Sequence, residues 1–281
     1  MKEIKVLEKG FVKLVDYMGD DSSIVQAARV SYGEGTKTIR EDRDLIRYLM
    51  RNKHSSPMEM VEFKFHIKCP IYVFRQIIRH RTFSTNEISL RYSIVKDEFD
   101  LTLENEWRVQ SKNNKQGSEG LISKELGISF TDKEKYIANN AKSAYDKMIV
   151  NEVAREQARK VLPVSLYTEA YWKGNLHNLF HFLGLRLDSH AQQETREYAE
   201  ALFNLIKPIV PISCEAFEDY RLNAVQFSSR ELKLIQKALK EGMIPDRKWI
   251  KENANGKHPE LELSQRERRE FRIKLNRNVD N

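Results

Sequence analysis

Fifteen residues from Arg79 to Ser93, RHRTFSTNEISLRYS, hold three arginines, a histidine, a glutamate, an asparagine, a tyrosine and several hydroxyls. Apolar side chains occur there only singly, as Phe83, Ile88 and Leu90. Such a stretch cannot be core, because each buried charge or amide would need a partner. A plain solvated loop would carry lysine, glycine and aspartate rather than arginines alternating with hydroxyls. The guanidinium forks of Arg79, Arg81 and Arg91 match phosphate or carboxylate. Ser84, Asn86, Glu87 and Ser89 add short donors and acceptors for the rim of a small polar ligand. The chemistry this favours is capture of an anion.

The elements that must position these groups can be read from periodicity. Val61, Phe63, Phe65 and Ile67 alternate with Glu62, Lys64, His66 and Lys68, which predicts a strand whose polar face, His66 included, is solvated. Pro70 then suits the first turn of a helix, PIYVFRQIIRHR. Ile71, Phe74, Ile77 and Ile78 form its buried stripe, while Tyr72, Arg75, Gln76 and Arg79 share the opposite face. That helix delivers Gln76 and Arg79, and a loop delivers the rest of the stretch. Before it, residues 22–32 read as a helix capped by Asp21 or Ser22, and residues 40–52 as a second. His54-Ser55-Ser56-Pro57 breaks the pattern.

Residues 96–130 are polar and weakly patterned, a plain loop or a lid. Thr131-x-x-Glu134 reads as a capping box that opens a long helix. A helix from Asn151 carries Arg155 and Arg159 before Pro163, and residues 164–172 read as a strand. Gly174-Asn175 opens a helix with core stripe Leu176, Leu179, Phe180, Leu183 and Leu187, and Arg186 near its end. Asp188 and Ser189 cap a helix that holds His190 and runs to Ile206, and EAFEDYRL makes a short one. Ser228-x-x-Glu231 caps another. KWIKENANGKHPELEL reads as loop, and SQRERREFRIKLNRN as a charged helical or disordered end.

Composition excludes several classes. Hydrophobic residues make up 40% of the 281, enough for a real core. Cys69 and Cys214 are too few for a disulfide framework, which points to a reducing cytoplasm. No stretch is long and apolar enough to span a bilayer, and MKEIKVLEKG has no apolar signal core. The net charge is +7, of which residues 225–281 carry 14 − 9 = +5 and the first 224 only +2. A near-neutral body argues against a nucleic-acid groove there, and the arginine-rich tail (Arg266, Arg268, Arg269, Arg272, Arg277) reads as a solvated helix. A nucleic-acid binder is nonetheless the alternative function of a different class. His177-x-x-x-His181 invites a metal, but a third ligand is missing, so no metal site is expected. No G-x-S-x-G elbow supports Ser84 or Ser89 as a nucleophile.

The pattern R-H-R-x-x-S-x-N-E-x-S-x-R-Y-S resembles the signature of flavin-dependent thymidylate synthases, with every fixed position filled. The resemblance covers residues 8–223. It implies a fold of α/β class (α+β type), an antiparallel sheet flanked by long helices with a smaller helical part. It also implies a synthase domain at 1–224 and a charged, mainly helical extension at 225–281. The implied reaction methylates dUMP to dTMP, with 5,10-methylenetetrahydrofolate as carbon donor and FAD, reduced by NADPH, as hydride carrier. It uses no enzyme nucleophile, whereas the other kind of thymidylate synthase needs a cysteine; neither Cys69 nor Cys214 has suitable polar company.

Carried over residue by residue, the resemblance gives His54, Ser56, Arg79, His80, Arg81, Glu87, Asn175, His177 and His181 to FAD. Some relatives have arginine and asparagine in place of these last two histidines. It gives Gln76, Arg79, Glu87, Ser89, Leu90, Arg91, Arg159 (in ARKVLP) and Arg186 (in LRLDSHAQ) to dUMP. Arg186, Arg91 and His54 are the candidate catalytic residues. It further implies a homotetramer with active sites shared between subunits.

Overall fold

The computed structural model describes residues 2–30, 39–95, 98–112, 116–254 and 261–276, without the side chains of 39 and 40. Residues 31 and 32 of the helix expected at 22–32, residues 96, 97 and 113–115 of the 96–130 segment, residues 255–260 of the 248–263 stretch, and Arg277 thus lie outside the described residues. The chain divides into two compact units, Met1–Leu222 and Asn223–Asn281.

The first unit is built on a five-stranded antiparallel sheet in the order β1-β2-β3-β7-β4. Its strands are β1 (Glu3–Val6), β2 (Gly10–Met18), β3 (Glu62–Pro70), β4 (Ser84–Glu87) and β7 (Tyr167–Asn175). The alternation read at residues 61–67 is real: Phe63, Phe65 and Ile67 are fully buried. Its other face is not simply solvated. His66 Nε2 lies 3.0 Å from Glu169 Oε2, between the rings of Phe11 and Tyr171, and buried Lys68 pairs with Glu98 at 2.8 Å.

Around the sheet lie α1 (Asp21–Arg29), α2 (Ile39–Arg51), α3 (Ile71–Ile77), α4 (Lys124–Val150), α5 (Arg155–Ala158), α6 (Leu176–Arg186), α7 (Gln193–Ile206) and α8 (Pro211–Phe217). Helix α7 is clamped to the sheet by Tyr198, whose hydroxyl donates to the Lys68 carbonyl at 2.8 Å. The fold class is the one expected from the signature.

Several boundaries differ from the periodicity. Asp20, not Asp21 or Ser22, caps α1, accepting from the amides of Ser22 and Ser23. Asp21 is buried and accepts from the amides of Ile212 and Ser213 instead. Thr131 and Glu134 do not open a helix: α4 starts a full two turns earlier, capped by Ser123. Both side chains instead hold the preceding loop, Glu134 accepting from Thr102 N at 2.7 Å and Thr131 Oγ1 donating to Thr102 O at 2.8 Å. Within 96–130 a hairpin forms from β5 (Arg108–Gln110) and β6 (Ser118–Leu121). Gln192 rather than Asp188 or Ser189 holds the N-cap position of α7, without a side-chain capping bond, and the Asp188 carboxylate takes the His190 amide at 2.8 Å, so His190 precedes the helix.

The second unit holds α9 (Ser229–Lys240), α10 (Arg247–Asn253) and α11 (Gln265–Leu275). Helix α10 lies where a loop was expected. Leu234, Trp249, Ile250, Leu263 and Phe271 give this unit a core of its own, so the charged end is a folded helix packed through Phe271.

Candidate active site

Helix α3 was expected to run from 70 to 81 but stops at Ile77. Continuation would carry the consecutive polar residues Arg79, His80 and Arg81 around the axis. Instead the His80 amide closes a turn on Ile77 O at 3.1 Å. The chain then turns His80 inward, only 9% exposed, and leaves Arg79 and Arg81 outside. The imidazole meets Phe182 edge-on at 4.8 Å and lies 5.8 Å from the His181 ring.

Arg186, in the last turn of α6, reaches the same place. Its Nε donates to His80 Nε2 at 3.2 Å, and its Nη2 donates to the Gln76 carbonyl at 3.4 Å. Gln76 in turn donates through Nε2 to Gln192 Oε1. His80 therefore accepts at Nε2 and carries its proton on Nδ1. Burial, and then the neighbouring Arg186 cation and His181, push its pKa down to about 4. Burial also lowers the pKa of Arg186. No carboxylate pairs with Arg186 among the described residues.

The second group sits on the sheet edge. β4 pairs with β7 from Ser84↔Lys173 to Glu87↔Ala170, so the middle of the signature is a strand, not the loop expected. It is fixed there by Phe83, stacked on Trp172 at 3.7 Å. Glu87 accepts from Thr168 Oγ1 at 2.7 Å. A turn follows in which Tyr92 N donates to Ser89 O at 3.0 Å and Arg91 N to Ser89 Oγ at 3.3 Å. Leu90 is half-buried against the Tyr145 cluster. The exposed Arg91 guanidinium lies 3.7 Å from Glu156 of α5, and Arg159 is exposed just beyond that helix. The helix expected from Asn151 is thus only the single turn of α5 and a 3-10 turn.

A third group lies where the 3-10 turn Ser56–Met60 packs on α6. His54 and Ser56 are exposed there. Asn175 caps α6, accepting from Asn178 N at 2.9 Å, and His177 and His181 follow one turn apart. No set of three metal-ligating side chains occurs among the described residues.

One chain thus gathers Gln76, His80, His181 and Arg186. No hydrogen bond or ion pair joins them to Ser89, Leu90, Arg91 or Arg159 among the described residues. Three features escaped the sequence reading. Gln192 sits in LRLDSHAQ but drew no role, although its place six residues after Arg186 was visible. The Phe83–Trp172–Phe182 stack links aromatics that are distant in sequence. The third is a groove of about 1210 Å³ between the hairpin, α4 and the start of α7, lined by Tyr72, Asp100, Trp107, Arg108 and Gln192 among others. Asp100 accepts there from Tyr72 at 2.6 Å and Tyr167 at 3.1 Å.

A sequence profile of the family described as "Thymidylate synthase complementing protein" matches residues 13–212. The flavin-dependent thymidylate synthase of Treponema denticola is 52% identical over 240 residues, covering 84% of this chain and 89% of that protein. That of Thermus thermophilus is 56% identical over 234 residues, covering 83% and 84%. The chain belongs to the flavin-dependent thymidylate synthase family. Among solved structures, a UMP/dUMP methylase, PolB from Streptomyces cacaoi bound with 5-Br dUMP, superposes with a TM-score of 0.71 at 32% identity, covering 78% of this chain and 99% of that one.

Both cysteines of the chain are fully buried. Burial raises the pKa of each thiol, which disfavours the nucleophilic thiolate.

Proposed function

We propose that this chain methylates dUMP to dTMP, using FAD, NADPH and 5,10-methylenetetrahydrofolate, in the cytoplasm. The observation that carries the reading is Arg186. A partly desolvated guanidinium with only neutral acceptors around it is costly unless a ligand supplies electron density. His80 and the Gln76 carbonyl orient it, and its remaining donors serve the nucleotide. Gln76, Arg79, Glu87, Ser89, Leu90, Arg91 and Arg159 complete the dUMP contacts. The phosphate goes to exposed arginines, whose planar forks suit it.

The donor set fits a flavin dinucleotide. Arg79 and Arg81 are exposed and form no ion pair among the described residues, which leaves two cations for a pyrophosphate. His54, Ser56, His80, Glu87, Asn175, His177 and His181 supply the remaining polar contacts. When bound, the reduced flavin supplies the hydride. Arg186 and Arg91 would hold the uracil carbonyls and favour the electron-rich, enolate-like form of the ring that lets carbon 5 act as a nucleophile. Holding both reactants lowers the barrier further by orientation, and His54 borders the reacting face.

Residues 1–224 carry this chemistry. Arg91 pairs with Glu156 and Arg186 with His80 and Gln76, with no bond between the two groups among the described residues, which supports a homotetramer in which each site draws on several subunits. The test is an FAD titration followed by dUMP-dependent NADPH oxidation. Flavin uptake and a rate that responds to dUMP are expected. A protein that stays colourless with added FAD overturns the reading.

A further inference from the structure

We propose that the groove between α10 and α11 binds the phosphodiester backbone of a nucleic acid. This groove, of about 800 Å³, is lined by Arg247, Lys248 and Lys251 from α10 and by Arg268, Arg269 and Arg272 from α11. Both helices use the same i, i+1, i+4 spacing, so each presents three cations to one side. Among the described residues Asp246 is the one acid in the lining, and its carboxylate is already committed to the Trp249 amide at 2.7 Å.

Three nearby acids are also spoken for, while Glu252 of α10 lies outside the lining among the described residues. Glu231 takes Lys274 at 2.8 Å, Glu270 takes Arg266 at 2.8 Å, and Glu267 closes the cap on Ser264. Arg247, Lys248, Lys251, Arg268 and Arg272 form no ion pair among the described residues. Six like charges around one concavity repel each other, and a bound polyanion relieves that repulsion. Helix stability does not explain the placement. Arg247 and Lys248 open α10, where the backbone dipole disfavours cations.

The residue types select the anion. Four of the six cations are arginines, whose forks match phosphate oxygens. Among the described residues the lining offers Ile250 but no aromatic ring, so bases have no stacking platform there. Contact is then to the backbone and independent of sequence. The neutral balance of the first 224 residues, which disfavours nucleic acid there, does not bear on this unit. It holds most of the excess positive charge.

The test uses the full chain and fluorescence anisotropy with short single-stranded RNA and DNA of mixed sequence, and an oligoglutamate of equal charge. Saturable binding of RNA or DNA is expected, with equal affinity for scrambled sequences. Five contacts, from the groove cations other than Arg269, give a slope of log K against log salt of about −3.5 on single strands. The pairs R268Q/R272Q and K248Q/K251Q should each bring that slope closer to zero by about 1.4. R266Q, outside the groove, should leave it unchanged. Limited proteolysis of the C-terminal unit reports whether each variant keeps it folded, the single variants R272Q and K251Q stand in for a pair that does not, and the variants that stay folded decide. Absence of nucleic-acid binding at low salt overturns the proposal. So does a slope that neither pair alters, or oligoglutamate binding more tightly than either nucleic acid.

Discussion

His80 and Arg186 form a matched pair, because a guanidinium can only donate and a neutral imidazole nitrogen can accept. Protonation of His80 would set two cations 3.2 Å apart, so the folded chain holds the ring neutral. The sign follows directly. Between the ordinary pKa of 6.5 and about 4, the unfolded chain binds this proton and the folded chain does not. Stability from His80 is therefore complete above pH 6.5 and is lost as pH falls toward 4. His80→Gln keeps an acceptor near the same place without titrating. Its unfolding free energy should fall less steeply across that window than the parent's, with dUMP affinity retained. His80→Phe should lose dUMP affinity, and equal dUMP binding by His80→Phe would show that Arg186 needs no such support.

Ser89 is the hydroxyl most easily mistaken for a nucleophile. Its Oγ accepts from the Arg91 amide, which makes it a turn-former, and no base touches it among the described residues. Ser89→Ala should therefore retain product formation, and a covalent Ser89–nucleotide adduct in mass spectrometry would contradict that. Arg159→Ala removes one charge-assisted contact and should weaken dUMP by about 1.5–3 kcal/mol with FAD binding intact. Loss of FAD with unchanged dUMP titration would reverse the assignment.

At the scale of elements, β4 depends on one glycine. A Cβ on Gly174 would lie 2.4 Å from Phe83 Cδ1, and Phe83 is the ring that lies on Trp172. Gly174→Ala should lift this ring and the strand that follows it, costing about 1–3 kcal/mol of stability. Thermal unfolding of Gly174→Ala beside Phe83→Leu and the double variant measures the coupling, and an unshifted melting temperature in Gly174→Ala would refute it.

Regular elements with a strong period were legible from the chain alone. The strand through Phe63 and Phe65, helix α6 behind Asn175, and the capping box at Ser228 all stand where their patterns put them. What failed was local chemistry with two uses. Thr131-x-x-Glu134 has the composition of a cap, yet the same oxygens serve the backbone of a distant loop just as well. The end of α3 was hidden because Ile78 continues the apolar stripe, while burial of His80 stops the helix. Ser84 to Glu87 looked like loop because β4 is an exposed edge strand, where no alternation is required. The arginines of the site were visible as types; the neutral acceptors that hold Arg186 arise from tertiary contact.

At the scale of the molecule, no hydrogen bond or ion pair joins Arg91 to Arg186 among the described residues, and α4 leaves Tyr136 and Ile137 exposed at 70% and 59%. Tyr145, Tyr198 and Phe203, by contrast, are plain core. Exposed apolar residues on a long helix are surface a second copy can cover. Arg91→Ala and Arg186→Ala, each inactive, should therefore restore partial activity when mixed in one oligomer. No recovery in verified mixed oligomers would mean each chain builds its own site.

The central claim is methyl transfer to dUMP without a cysteine nucleophile, and product analysis tests it most directly. Purified protein with FAD, NADPH, 5,10-methylenetetrahydrofolate and dUMP is assayed for dTMP, beside the Cys69→Ala and Cys214→Ala variants. The account predicts dTMP that requires every component and persists in both cysteine variants. Absence of dTMP from a folded, flavin-loaded protein, or its abolition in a folded cysteine variant, would contradict it.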